Sequence, residues 1–293
     1  SQGCAVANVP TIPIGPFRRQ ANNDVFSLCL AFGQASLCAF DCAKRLLPHH
    51  PSTVTEPPMY ELNHRAASLC RCVIDEASLL NVDVTSSPCG ATILDFGAHG
   101  GIAAGRKLAE ICMAGLGEVQ IVPGARDVWP GPAVWVATDH PVAACMASQY
   151  AGWQIQGEKF FAMGSGPMRA AAGKEELFGH IGHRESPDVA VGVLETAKSP
   201  PPEICEKIAA DCRVSPAALY LCVAPTASVA GCTQIAARTV ETALHKMHEL
   251  SFDIQQVQHG AGVAPLPPVA ANDMAAIGRT NDAVLYGGQV SLW

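Results

Sequence analysis

Gln234, Arg238, Glu241 and His245 follow one another at spacings of three and four in a stretch, Cys232 to Leu250, that holds neither glycine nor proline. At 100° per residue they form one narrow polar stripe on a helix, with Ala236, Val240, Ala243, Leu244 and Met247 clustered on the opposite side. Two readings fit that stripe. As a solvated face it carries an i,i+3 ion pair between Arg238 and Glu241, worth about 0.2–0.5 kcal/mol. As the lining of a cleft it makes Glu241 a base whose ionisation and aim are set by Arg238.

The elements around the stripe favour a site. Leu219-Tyr220-Leu221-Cys222-Val223-Ala224 is an apolar run whose length and bulk suit a buried strand, closed by Pro225. Thr226 or Ser228 in the small-residue loop that follows can cap the first amides of the helix. Ligands of α/β proteins gather at the carboxyl ends of strands, where loop amides and a helix N-terminus converge. Further strands are expected over Ala91–Gly97, Val119–Pro123, Ala133–Thr138 and Val189–Leu194. Helices are expected over Leu62–Leu80, Ile102–Met113 and Pro202–Cys212. Strands alternating with helices make the class α/β.

Two other stretches carry candidates. Phe160-Phe161-Ala162-Met163-Gly164-Ser165-Gly166-Pro167-Met168-Arg169 is either a flexible connection with a surface arginine, or a loop in which Ser165, Gly166 and Arg169 grip an anionic or carbonyl-bearing ligand. Near the end, Asn272-Asp273 can cap a short helix from Met274 to Ile277 that Gly278 stops. Arg279-Thr280-Asn281-Asp282 then forms a turn, or reads an amide-rich heterocycle. The glycines after Asp95 do not match the dinucleotide fingerprint and are read as a tight turn feeding a helix.

Composition excludes several classes. Apolar residues make up 49% and charged ones 15%, which indicates a compact globular chain. A net charge of −7, with nothing basic clustered, argues against nucleic-acid partners. The 13 cysteines lack zinc-site spacing and sit mostly alone among apolar residues, so they read as buried reduced thiols, with no metal site, in a reducing compartment. No apolar run reaches the ~18 residues of a membrane span, the nearest being Val25 to Phe40. Residues 1–58, irregular and proline-rich apart from Val25 to Leu47, are expected to be an N-terminal extension, with a helix packed on the body as the alternative.

Taken together, AGWQI, FFAMGSGPMRA, VAPTASVAGCTQIAARTVETALHK, APLPPVAANDMAAIG and GRTNDAVLYGG resemble the methenyltetrahydromethanopterin cyclohydrolase family, from about Met59 to Leu292. The resemblance implies two α/β domains, divided near residues 150–170, with a pterin substrate in the cleft between them. It implies reversible hydrolysis of an N5,N10-methenyl bridge to the N5-formyl form, without metal or redox cofactor, in a cytoplasmic homo-oligomer for which a trimer is the size to test. The family's catalytic Arg and Glu, three residues apart, match Arg238 and Glu241. Ser165, Gly166, Arg169, Thr226, Ser228, Gln234, Asn281 and Asp282 are the substrate-binding candidates. On this resemblance Arg238 lowers the pKa of Glu241, and Glu241 serves as base and then acid. The family continues beyond the segment matching Gly287-Gly288, so the C-terminus is expected to be truncated. A pterin-binding relative without turnover and a methenyl-tetrahydrofolate cyclohydrolase are the alternatives.

Overall fold

A computed structural model of the chain describes residues 26–29, 60–125, 127 and 129–293. In chain order the first elements are β1 (Phe26–Cys29), α1 (Leu62–Asp75), α2 (Ala77–Leu80), β2 (Asp83–Ser86), β3 (Thr92–Asp95) and α3 (Ile102–Cys112). Next come β4 (Gly117–Pro123), β5 (Pro132–Thr138), a π-helix (Val142–Gln149), β6 (Trp153–Gln156) and β7 (Phe161–Ser165). The middle holds α4 (Met168–Ala172), α5 (Leu177–Ile181), β8 (Ala190–Glu195), α6 (Pro202–Cys212) and β9 (Leu219–Ala224). The chain finishes with α7 (Val229–Ala236), α8 (Thr239–Glu249), β10 (Gly260–Pro265), α9 (Asp273–Gly287) and β11 (Gln289–Leu292). Apart from residues 26–29, the expectations for the N-terminal extension lie outside the described residues.

These elements form an α/β fold with two sheets. One has six strands in the order β2-β3-β9-β8-β7-β6, with β9 parallel to both β3 and β8. The other has five in the order β1-β11-β10-β5-β4, antiparallel throughout. Strand β9 is apolar along its whole length because both of its faces are covered. Leu219, Leu221 and Val223 pack with Ile204 and Ile208 of α6 on one side, while Cys222 and Ala224 pack with α1 and α3 on the other. The strands of the two sheets alternate along the chain, so no cut near 150–170 parts one sheet from the other.

Because β3, β8 and β9 run parallel, their carboxyl ends share one edge of the sheet, at Asp95, Glu195 and Ala224. The loops there are tight. Gly97 lies so near Pro225 that a β-carbon would fall 2.0 Å from its Cδ. Ser228 caps α7, its Oγ accepting from the Gly231 amide at 2.9 Å.

Two expected elements take another form. The single helix from Cys232 to Leu250 is broken at Ala237-Arg238 into α7 and α8. The break has a tertiary cause: the Ala237 carbonyl accepts from Gln149 Nε2 at 3.2 Å, and the Arg238 amide bonds back to Ile235 O in a tighter turn. In the tail, Gly278 does not end a short helix. It sits on an open face of the 15-residue helix α9, where a β-carbon would meet nothing, so its lack of a side chain is no obstacle to continuing. Arg279-Thr280-Asn281-Asp282 is therefore helical, not a turn.

Candidate active site

Arg238 stands where α7 gives way to α8, and the break aims its side chain inward. Its Nη1 donates to Gln149 O at 2.8 Å and its Nη2 to Ser165 Oγ at 3.1 Å, while Nη2 and Nε both reach Gln234 Oε1. The ion pair it forms is with Glu195, at 2.9 Å, and Gln234 Nε2 also donates to Glu195 Oε1 at 3.2 Å. A planar guanidinium with five donors suits such a crowded, directional set of acceptors better than an ammonium would.

This corrects the expected pairing of Arg238 with Glu241. Glu241 lies in the first turn of α8, where the helix dipole favours an anion, yet it is 6% exposed and has no arginine bonded to it. Burial pushes its carboxyl up to about 7, and the charges of Arg238 and Arg169 offset that only in part. Arg238 acts in the expected direction, but desolvation wins. The solvated-face reading also fails for most of the stripe, since Gln234 and Arg238 are as buried as Glu241 and only His245 is partly exposed.

The second arginine is enclosed. Arg169 is fully buried, forms a two-bond pair with Glu175 through Nε and Nη2, and donates from Nη1 to Met146 O and Ser148 O. Its guanidinium lies 4.9 Å from the Tyr150 ring centroid and 5.3 Å from that of Phe178. Both arginines thus satisfy carbonyls at the buried C-terminal end of the π-helix, where cations are favoured.

A cavity of about 570 Å3 opens beside this cluster, lined among others by Gln156, Phe160, Phe161, Met163, Glu195 and Thr226, with Asp273 and Ile277 from α9. Glu195 belongs both to the Arg238 network and to the cavity wall.

The candidates from the sequence are therefore divided. Ser165, Gln234 and Arg238 meet directly, Glu241 stands in their field, and Thr226 lines the cavity. Arg169 lies beneath the site with its donors taken up by protein groups. Gly166 has φ +90° and packs against β8, and Ser228 is a helix cap, so both shape loops. Asn281 and Asp282 lie on the exposed side of α9 and bond to no member of the Arg238 cluster. Sequence reasoning missed Glu195, although the strand-end rule applied to β9 points to it as well, for it is the last residue of the neighbouring parallel strand β8. Gln149 and Tyr150 carried no local signal. Among the described residues no group of three or more His, Cys, Asp or Glu side chains is placed to hold a metal ion, and no helix is long and apolar enough to cross a membrane.

The family model described as Cyclohydrolase (MCH) matches residues 61–293. This chain belongs to that family. Among cyclohydrolase relatives, the methenyltetrahydromethanopterin cyclohydrolase of Methylobacillus flagellatus is 46% identical over 235 residues, covering 79% of this chain and 72% of its own length. The protein of that name from Xanthobacter autotrophicus is 45% identical over 249 residues, covering 84% and 74%. That of Methanosarcina mazei is 42% identical over 236 residues, covering 80% and 74%.

Proposed function

We propose that this chain is a methenyltetrahydromethanopterin cyclohydrolase, a hydrolase that opens a cyclic amidine in one-carbon metabolism. The observation that carries the reading at the level of chemistry is a buried carboxyl, Glu241, with a pKa of about 7 beside a cavity and a fixed guanidinium. A group that titrates near neutrality is matched to taking a proton in one step and returning it in the next.

The methenyl carbon lies between two nitrogens of a cationic amidinium and is already electrophilic, so the step to be catalysed is delivery of water. Ionised Glu241 takes a proton from a water over that carbon, the C–O bond forms, and a neutral carbinolamine results. Collapse breaks the C–N10 bond, with N10 protonated as it leaves and the hydroxyl proton lost to give the formyl group. Arg238, held by Glu195, Gln234, Ser165 and Gln149, keeps a fixed positive charge near Glu241 and limits how tightly the carboxyl holds its proton. Phe160, Phe161 and Met163 supply apolar surface suited to a pterin ring.

Three further expectations belong to this reading. The reaction needs no metal or redox cofactor, because the carbon is activated by its own charge. The chain works as a homo-oligomer, which light scattering would size. It works in the cytoplasm, consistent with buried free thiols at Cys70, Cys112, Cys145 and Cys222.

The test follows the near-ultraviolet absorbance of the methenyl substrate mixed with the purified chain. Wild type should clear it, and Glu241→Gln should slow turnover by on the order of 10²–10⁴-fold while keeping its circular dichroism. Equal rates for the two proteins would remove Glu241 from the mechanism. An inactive wild type would overturn the activity.

A further inference from the structure

We propose that His245, with Tyr150 stacked on it, carries to solvent the proton that each turnover leaves on Glu241. The inference rests on the cyclohydrolase reading and concerns a step that reading leaves open. A methenyl cation and water enter, and a neutral formyl product leaves, so charge balance requires one proton to be released per turnover. The proton from the attacking water goes to Glu241. The later transfer from the carbinol oxygen to N10 moves a proton within the adduct and removes none. Every forward cycle therefore ends with Glu241 protonated, and every reverse cycle must begin with it so.

Glu241 cannot discharge that proton freely, because only 6% of it is exposed. His245 is its i+4 neighbour on α8, about 5–6 Å away between β-carbons, and is partly exposed. The imidazole lies against the Tyr150 ring, with centroids 4.5 Å apart and planes 34° from parallel. Tyr150 in turn stands over the Arg169 guanidinium, so the ring that fixes His245 is itself fixed. On the outer side, His245 Nε2 is 3.7 Å from Glu249 Oε1, and Glu249 is exposed. Glu241, His245 and Glu249 thus mark a line along one face of α8 from the buried base to water.

The groups around His245 favour a proton carrier over a permanent cation. Glu249, His248 and Lys246 face it from its own helix, Arg169 from α4 and Tyr150 from the end of the π-helix. Burial, with the cations His248, Lys246 and Arg169, holds the ring below the usual histidine range, against the pull of Glu249. A neutral imidazole is free to accept from Glu241 near pH 7 and to release at once. His245 is in this sense a positioning residue for the proton and does not touch the reacting carbon.

The experiment measures turnover of the methenyl substrate by wild type, His245→Ala and Glu241→Gln in weak buffer and with added imidazole. His245→Ala should lose on the order of 10–100-fold in kcat with KM unchanged, and imidazole should restore most of it. Wild type and Glu241→Gln should not respond. A His245→Ala protein with wild-type kcat in weak buffer, or with a loss that imidazole leaves untouched, would overturn the proposal. Should the alanine variant fail to fold, His245→Gln keeps the bulk without the proton transfer, and full activity in that variant overturns the proposal equally. A wild type without turnover sinks the cyclohydrolase reading and this one with it, whereas turnover without imidazole rescue sinks this one alone.

Discussion

Arg169 and Arg238 begin from the same physical problem and reach different ends. Each is buried, each is paired with a glutamate, and each donates to a carbonyl near the end of the same π-helix. Arg169 is closed in by Tyr150, Phe178 and main-chain oxygens, and its partner Glu175 has no other recorded task. Arg238 is held by side chains, and its partner Glu195 faces the cavity. A further carboxyl, Glu241, sits in the field of both cations and is bonded to neither, so burial dominates its ionisation. A buried arginine by itself marks nothing. What marks a site is a guanidinium whose acceptors can be seen from a cavity, next to a carboxyl left short of partners.

Removing each arginine should break the resemblance between them most sharply. Arg169→Met should cost roughly 3–5 kcal/mol of stability, since Glu175 and two carbonyls lose their donor, while each molecule that remains folded keeps its kcat. Arg238→Met should cost turnover beyond anything the folded fraction explains. Urea unfolding and active-site-normalised rates check both, and equal effects on kcat would mean that the two arginines form one functional unit.

The pH dependence of stability sharpens the place of Glu241. Its folded pKa lies above its unfolded value of 4.5, so the folded state holds the extra proton. Its contribution is full below pH 4.5 and is lost as pH rises through about 7, amounting to roughly 3 kcal/mol. Glu241→Gln removes that loss and should be more stable than wild type at pH 8, with the gap closing by pH 4. A gap that does not change with pH would mean that Glu241 is solvated in the folded chain. The smallest effect is expected on α9: Asn281→Ala and Asp282→Ala should leave KM within about twofold and stability within about 0.5 kcal/mol.

Where short-range physics decides, the sequence was a sound guide. Leu219–Ala224 and Pro202–Cys212 have the bounds read from their apolar runs and from proline at a helix start. The break at Ala237-Arg238 was not legible, because its cause, Gln149, lies 88 positions away. Nor was the burial of the polar stripe, since the same spacing serves a wet helix face and a walled-in one until the π-helix is packed against it. Gly278 misled because a glycine ends a helix only where the backbone needs a positive φ, and here it does not. Glu195 was open to discovery but was passed over, since attention rested on one strand end where parallel pairing places several.

The π-helix gives the site an unusual sensitivity to chain length. Such a helix holds one residue more than an α-turn would, absorbed without breaking the rod. Taking a single residue out between Val142 and Gln149 would let the segment relax to ordinary pitch and swing everything after it by about 100°. The Gln149 carbonyl would turn away from Arg238, its amide from Ala237, and the Tyr150 ring from His245. A one-residue deletion in a segment that never touches the substrate would thus act as a gear slipping by a tooth, disengaging both arginines and the proton's way out together.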